Sequence, residues 1–407
     1  MQHNPTGRAR LGLALLLGML AVLGPLNIDM YLPAFPEIAA DLGAGASHVQ
    51  LSLTTCLVGL AVGQVVVGPV SDARGRRGPL IVSLVLFVLS SLLCALAPDI
   101  TVLAAARFLQ GFTASAGVVL SRAVVRDVFS GNELTRFFAL LMVVNAVAPL
   151  VAPIAGGAIL WPSSAGWEAV FLALALLGAV IVLVVALRLE ETLPVERRIP
   201  GTVGGTLRTV GALLRDRSFL GYALVVGLVH GGSFAYVAGT PFVYQDLHGV
   251  SPQVFGVLFG VNGAAIIAGS WAVGRFSARF GERPLLLGAV AAAVAATGAL
   301  LVATLADGPL ITLVVPVFVY MTCMGMILTS SFALAMHGQE RRAGSAGAVL
   351  GALSPLFGAV VAPLVGLDES TAVPMGAALF ATSTLGLVVL LAMTSPRARV
   401  PEAGRAR

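Results

Sequence analysis

The sequence predicts an all-α polytopic membrane protein, with twelve transmembrane helices arranged as two pseudo-symmetric six-helix bundles. Three observations predict it. The chain of 407 residues is 58% hydrophobic and only 11% charged, against roughly 25% charged residues in an average soluble protein, so lipid must be its solvent. Apolar segments of about 20 residues, the length that crosses a ~30 Å hydrocarbon layer, recur twelve times. One long polar stretch, LEETLPVERRIPGTVGGTLRTVGALLRDRS at 189–218, separates the sixth from the seventh. The organisation expected is therefore a first bundle over 1–188, a cytoplasmic linker over 189–217, and a second bundle with a cytoplasmic tail over 218–407.

The first span, 11–33, follows Arg8 and Arg10. A basic stretch ahead of an apolar run can mimic a secretory signal, but no small-residue cleavage site closes it and eleven more spans follow. Spans two to six cover 49–70, 79–97, 101–124, 136–160 and 167–187. Spans seven to twelve cover 218–244, 253–274, 284–305, 309–336, 345–367 and 374–394. Cys56, Cys94 and Cys323 sit singly inside spans, without metal-ligand spacing.

Charge placement orients these spans. All 24 basic residues are arginine. With the N-terminus inside, 23 of them fall in cytoplasmic segments or at cytoplasmic helix ends, while the outer loops carry Glu37, Asp41, Asp99, Asp246, Asp307, Asp368 and Glu369 and no arginine. This positive-inside distribution predicts a multi-pass protein of the cell inner membrane with both termini cytoplasmic. It also accounts for the net charge of +5 with no nucleic-acid partner.

The two halves repeat weakly. Gly68, Asp72, Gly75 and Arg77 align at an offset of 206 residues with Gly274, Ala278, Gly281 and Arg283, and Ala148-Pro149-Leu150 aligns with Ser354-Pro355-Leu356 at the same offset. Asp41-Leu42 aligns with Asp246-Leu247 at 205. Such spacing suggests parallel repeats about an axis along the membrane normal. Proline and glycine inside the spans, at Gly24, Pro25, Pro33, Pro149, Pro153, Gly156, Gly157, Gly351, Pro355 and Pro363, bend helices and let them approach closely.

Charge at membrane depth is a functional hypothesis by default. Asp29, in LGPLNIDMYLPAFP, lies ~27 Å from the cytoplasmic end of span one, and Arg107, in AARFLQGF, lies ~9 Å into span four, at 1.5 Å per residue. Both fall in the outer half. An opposite charge within reach keeps a buried carboxylate ionised, and its loss lets the group take a proton; a static ion pair that fixes helix packing fits the same two residues. His230 is the one intramembrane histidine and can titrate or simply pack. Asn27, Tyr31, Gln110, Asn145, Phe234, Tyr236 and Asn262 can line a largely apolar cavity for a drug-sized molecule or serve packing.

The knot GPVSDARGRRGPL, residues 68–80, falls between spans two and three. Gly75 and Gly78 permit tight backbone turns, and Arg74, Arg76 and Arg77 suit an anionic inner face. Asp72 adds nothing to topology; docked on the positive N-terminus of a helix from the other half, it would lock the inner side.

Here the chain resembles a known family. The knot resembles the loop signature of the major facilitator superfamily, with Ala73 where an arginine is common and Ala278 and Phe280 in the degenerate second copy. RFLQGFTASAGVVLSRAVVRDVF is similar to the fourth-helix motif of its proton-coupled drug exporters, and APLVAPIAGG to their fifth-helix antiporter motif, with Ala148 in place of glycine. NIDMYLPAFPEIAADL resembles the first helix of the bicyclomycin/chloramphenicol resistance (Bcr/CflA) family.

The resemblance implies a proton:drug antiporter in which Asp29 and Arg107 take part in coupling. It implies an inner gate of Gly68, Asp72, Arg74, Gly75, Arg76 and Arg77, and a hinge of Pro149, Pro153, Gly156 and Gly157. Chloramphenicol-like or bicyclomycin-like compounds would be the substrates and the proton gradient the energy source with no cofactor; a monomer in the lipid bilayer is the expected working unit, independently of the resemblance. A nutrient importer on the same fold is the alternative. An enzyme is disfavoured: the chain shows no nucleophile-base set and no metal-ligand spacing, and without lysine it cannot form a GxxxxGK[ST] phosphate loop.

Overall fold

The computed structural model describes residues 7–129, 131–161, 166–198, 211–337, 339, 343–368 and 370–394. The first half contains α1 (Gly7–Asp29), the short α2 (Phe35–Asp41), α3 (Ala46–Arg74), α4 (Arg77–Ala95), α5 (Ile100–Val128), α6 (Gly131–Ile159) and α7 (Glu168–Arg188). The second contains α8 (Arg217–Phe242), α9 (Pro252–Phe280), α10 (Glu282–Leu305), α11 (Leu310–Met336), α12 (Ala343–Val365) and α13 (Val373–Met393). All but α2 match the twelve expected spans. Ten spans are long and apolar enough to cross a membrane throughout the described residues, and α6 and α12 contribute apolar stretches at Val147–Ile159 and Val349–Val365. Arg208, Arg341, Arg342, Glu369 and the tail from 395 lie outside the described residues, as does the middle of the expected linker.

Local chemistry sets the helix ends. Asp99 caps α5 by accepting from the amides of Thr101 and Val102 at 2.8 and 2.9 Å, and Asp216 caps α8 through Ser218 and Phe219; both satisfy amides that a helix leaves orphaned. The first span departs from expectation. Helix α1 stops at Asp29, and a 3-10 turn at Leu32–Ala34 leads into α2. Pro33 and Pro36 cannot donate backbone bonds and disfavour helical geometry at the residue before them. Asp29 is therefore the last residue of a helix rather than a mid-helix residue.

The sequence repeat is a structural one. Helix α3 ends on Gly75 and α9 on Gly281, both at positive φ, +95° and +81°, where glycine carries no side-chain penalty. Each amide returns to the carbonyl four residues back, Ser71 at 3.0 Å and Ser277 at 2.8 Å. Beyond each turn an arginine reaches the end of the half's last span, Arg77 donating to the Ala186 carbonyl at 2.7 Å and Arg283 to that of Thr394 at 2.6 Å.

The connections that alternate along the chain define two faces. One carries Arg74, Arg76, Arg77, Arg188, Arg215, Arg217, Arg275 and Arg279; the other carries Glu37, Asp41, Asp99, Glu168, Asp246, Asp307 and Asp368 and, among the described residues, no arginine. We call them the arginine face and the acidic face. The halves meet through α3 against α12 and α6 against α9, with their closest described approaches toward the acidic face. A side chain at Gly157 would meet the carbonyl of Pro252, one at Gly256 that of Pro153, and one at Gly366 the backbone of Ser47.

Candidate functional site

Arg107 stands on α5, where Asn27 at the end of α1 faces it. It is fully buried. Its Nη1 donates to Asn27 Oδ1 at 2.8 Å and to Gln110 Oε1 at 2.6 Å, and its Nη2 to the Asn27 carbonyl at 2.9 Å. The guanidinium carbon lies 4.0 Å from the Tyr31 ring centroid and 5.7 Å from that of Phe171, a geometry in which ring faces stabilise a cation. A second ring of groups orients these partners: Gln110 Nε2 donates to Ser91 Oγ at 2.8 Å, and Asn27 Nδ2 to Cys56 Sγ at 3.2 Å. Asn27, Tyr31 and Gln110 thus surround Arg107, all three buried.

Asp29 is not among them. The ion pair considered for Asp29 and Arg107 does not form, for a geometric reason. At 3.6 residues per turn, two positions rotate the side chain by about 200° about the helix axis, so Asn27 faces α5 while Asp29 faces away from it. Asp29 is 7% exposed and lies within electrostatic reach of Tyr236 on α8, in the other half. Among the described residues it has no ion pair and no side-chain hydrogen bond.

Across the interface, Asn262 Nδ2 donates to the Tyr236 hydroxyl at 2.7 Å, and the Tyr236 ring stacks on Phe259 at 5.0 Å. Two residues before Tyr236, Phe234 lies 6.0 Å from the half-buried ring of His230, one helical turn earlier on the same helix. The side chain of Asn145 lies outside those described. Pro149, Pro153, Gly156 and Gly157 form the part of α6 nearest the acidic face. There Gly156 faces the Met30 carbonyl, and the segment abuts α9 at Gly256 and Gly260.

On the arginine face the knot closes within one half. Arg76 is 4% exposed and bridges Asp72 at 2.5 Å and Asp127, at the end of α5, at 2.8 Å. Asp72, expected to dock on the opposite half, is held here by Arg76. Glu191, beyond α7, accepts from the amides of Arg76 at 2.8 Å and Arg77 at 3.2 Å, capping the positive end of α4. Burial alone would push the Glu191 carboxyl up, but the amides of Arg76, Leu193 and Arg77 and the charge of Arg198 hold it below its usual value of 4.5. Arg74 and Arg77 are exposed and Gly68 is half-buried near Val119. Asp127 and Glu191 were missed in the sequence: one follows Arg126 and the other sits in a glutamate pair, each reading as a solvated charge.

The chain matches the model of the Major Facilitator Superfamily over residues 17–364. It belongs to that superfamily. It is 62% identical over 397 residues, 98% of this chain and 99% of the relative, to the "Uncharacterized MFS-type transporter YdgK" of Bacillus subtilis. It is 32% identical over 362 residues, 89% of this chain and 90% of the relative, to a "Bicyclomycin resistance protein homolog" of Haemophilus influenzae. Among solved structures it resembles the xylose transporter XylE of E. coli in a partially occluded inward open conformation, with TM-score 0.75 and 13% identity over 96% of this chain and 99% of that one. The major facilitator fold thus extends over the whole described chain, and the protein is a multi-pass transporter.

Proposed function

We propose that this transporter exports drugs from the cell in exchange for protons, with chloramphenicol-like or bicyclomycin-like compounds as candidate substrates. The observation that carries the reading is Asp29, a buried carboxyl at the meeting of the two halves with no ion pair among the described residues. Such a group exchanges a proton without first breaking a salt bridge, and a carboxyl at membrane depth is a functional site by default. The name of the Haemophilus relative supports a drug as cargo.

The arginine distribution supports a cell-membrane protein with the arginine face and both termini in the cytoplasm. The conformation described, with the halves close together toward the acidic face, is then the one closed to the outside. In the cycle proposed, Asp29 releases its proton inward as a drug binds, the halves rock, and Asp29 is reprotonated from outside as the drug leaves. The proton gradient is the energy source, with no cofactor, and the working unit is a monomer.

The test is proton movement in inverted vesicles energised by respiration. Chloramphenicol-like, bicyclomycin-like and cationic compounds are added to wild type and to Asp29→Asn. Compound-induced proton release in wild type alone is the expected result. No release with any compound would remove the exporter reading, and equal release from the variant would remove Asp29 from coupling.

A further inference from the structure

Three side-chain hydrogen bonds cross between the halves among the described residues, and all three have one chemistry. Gln50 Nε2 on α3 donates to the Ala238 carbonyl of α8 at 3.3 Å. Gln245 Nε2, just beyond α8, donates to the Pro33 carbonyl at 3.2 Å. Gln253 Nε2, in the first turn of α9, donates to the Gly157 carbonyl of α6 at 3.4 Å. One amide comes from the first half and two from the second, and each acceptor is a backbone oxygen of the opposite half.

The acceptors follow from the backbone. Gly157 is within the last turn of α6, whose carbonyls lack intrahelical donors; the Trp161 amide, four residues on, turns instead to the Ala158 carbonyl at 3.2 Å. Pro33 sits in the break between α1 and α2. Ala238 lies one turn before the end of α8, where Pro241 interrupts the helix and a π-turn follows. Irregular ends thus supply oxygens that a glutamine amide can reach. No ion pair crosses this seal among the described residues, although the face around it is acidic.

We propose that Gln50, Gln245 and Gln253 are an uncharged clasp: positioning residues for alternating access that hold the acidic face shut through neutral bonds. A clasp of primary amides has no titrating group and little dependence on salt, so these three bonds do not themselves sense the proton gradient, although Glu37, Asp41, Glu168 and Asp246 share the face with them. Proton sensing is left to carboxyls elsewhere in the cycle. The clasp is also easy to release: Gln50 is 2% exposed and its Oε1 has no hydrogen-bond partner among the described residues, so closure leaves a buried acceptor that water would satisfy on opening.

The test measures opening directly. Leu96 and Leu305, at exposed ends of α4 and α10, are replaced by cysteine and spin-labelled in the full chain in lipid nanodiscs, with the buried native cysteines retained. Distance distributions then give the open-to-closed ratio. Gln245→Leu and Gln253→Leu are each expected to raise that ratio about fivefold, the population equivalent of one neutral hydrogen bond, and the double variant about 25-fold.

Gln253→Glu separates a clasp from mere packing. A protonated glutamic acid donates its O–H to the Gly157 carbonyl, whereas the carboxylate cannot donate. The variant's closed-state pKa is thereby raised, so closure holds at low pH and is lost as pH rises through that value. Relative to wild type, opening of Gln253→Glu should rise with pH while that of Gln253→Leu stays pH-independent. An unchanged distribution in the leucine variants, or a Gln253→Glu profile that tracks Gln253→Leu at every pH, would overturn the proposal. Because closure at low pH reports a folded protein, a variant that merely misfolds is recognised as such.

Discussion

Arg107 and Asp29 are the two charges that the chain places deep in its first half, and the fold treats them in opposite ways. Arg107 is fixed by two amide oxygens, a backbone carbonyl and two aromatic rings. Asp29, two residues from one of those amides, faces the other half with no salt bridge among the described residues. A cation held through both terminal nitrogens by neutral groups, with its buried Nε left without a partner among the described residues, has few alternative positions. A carboxyl with no ion pair among the described residues can change state at little structural cost, which separates a framework residue on α5 from the proposed coupling residue at the end of α1.

The largest expected effect breaks the comparison on the working side. Asp29→Asn should reduce compound-driven proton release in vesicles to background, with membrane insertion and thermal unfolding unchanged. Arg107→Ala should do the converse first. It leaves Asn27 Oδ1 buried without its donor, at about 1–3 kcal/mol for an unsatisfied group, and Gln110 Oε1 with only the weak Cys94 thiol donor at 3.5 Å, and should lower the unfolding temperature in detergent along with transport. Arg107→Lys should recover little, because an ammonium cannot reproduce the planar fork.

Smaller effects fall on the arginine face. Asp72→Asn weakens a bridge that Arg76 also makes to Asp127, so turnover should fall by about threefold, on the scale of a partly exposed ion pair, while substrate affinity measured by equilibrium binding holds. Smallest is Glu191→Gln, at about 0.3–1 kcal/mol for a charge at a helix end. The folded Glu191 pKa lies below 4.5, so its contribution is complete above that value and disappears as pH falls through the folded one. Wild type and variant should differ in urea stability at pH 7 and converge in acid.

Much of this arrangement is legible in the sequence. Apolar length revealed the spans, and the spacing of Gly75 and Gly281 anticipated two turns of one geometry. The separation of Asp29 from Arg107 is less legible: their similar depth invites a pair, and only the angular position of Asn27 against Asp29 on α1 argues otherwise. The early end of α1 is readable afterwards from Pro33 and Pro36. Glu191 and the three glutamines left no signal, because a polar residue beside a turn looks the same whether it meets water or the carbonyl of a distant helix.

The paired turns at Gly75 and Gly281 have a last consequence. Both retain the bend and the arginine that reaches the final span of their half, yet Ala278 stands where Asp72 does in the first copy, and Glu282 where Arg76 does. Duplication has therefore preserved the hinge pin and discarded the bolt on one side. The two corners are unequal: the first is braced by the ionic pairs of Arg76 with Asp72 and Asp127, and the second carries the same turn with Ala278 and Glu282 at the matching positions.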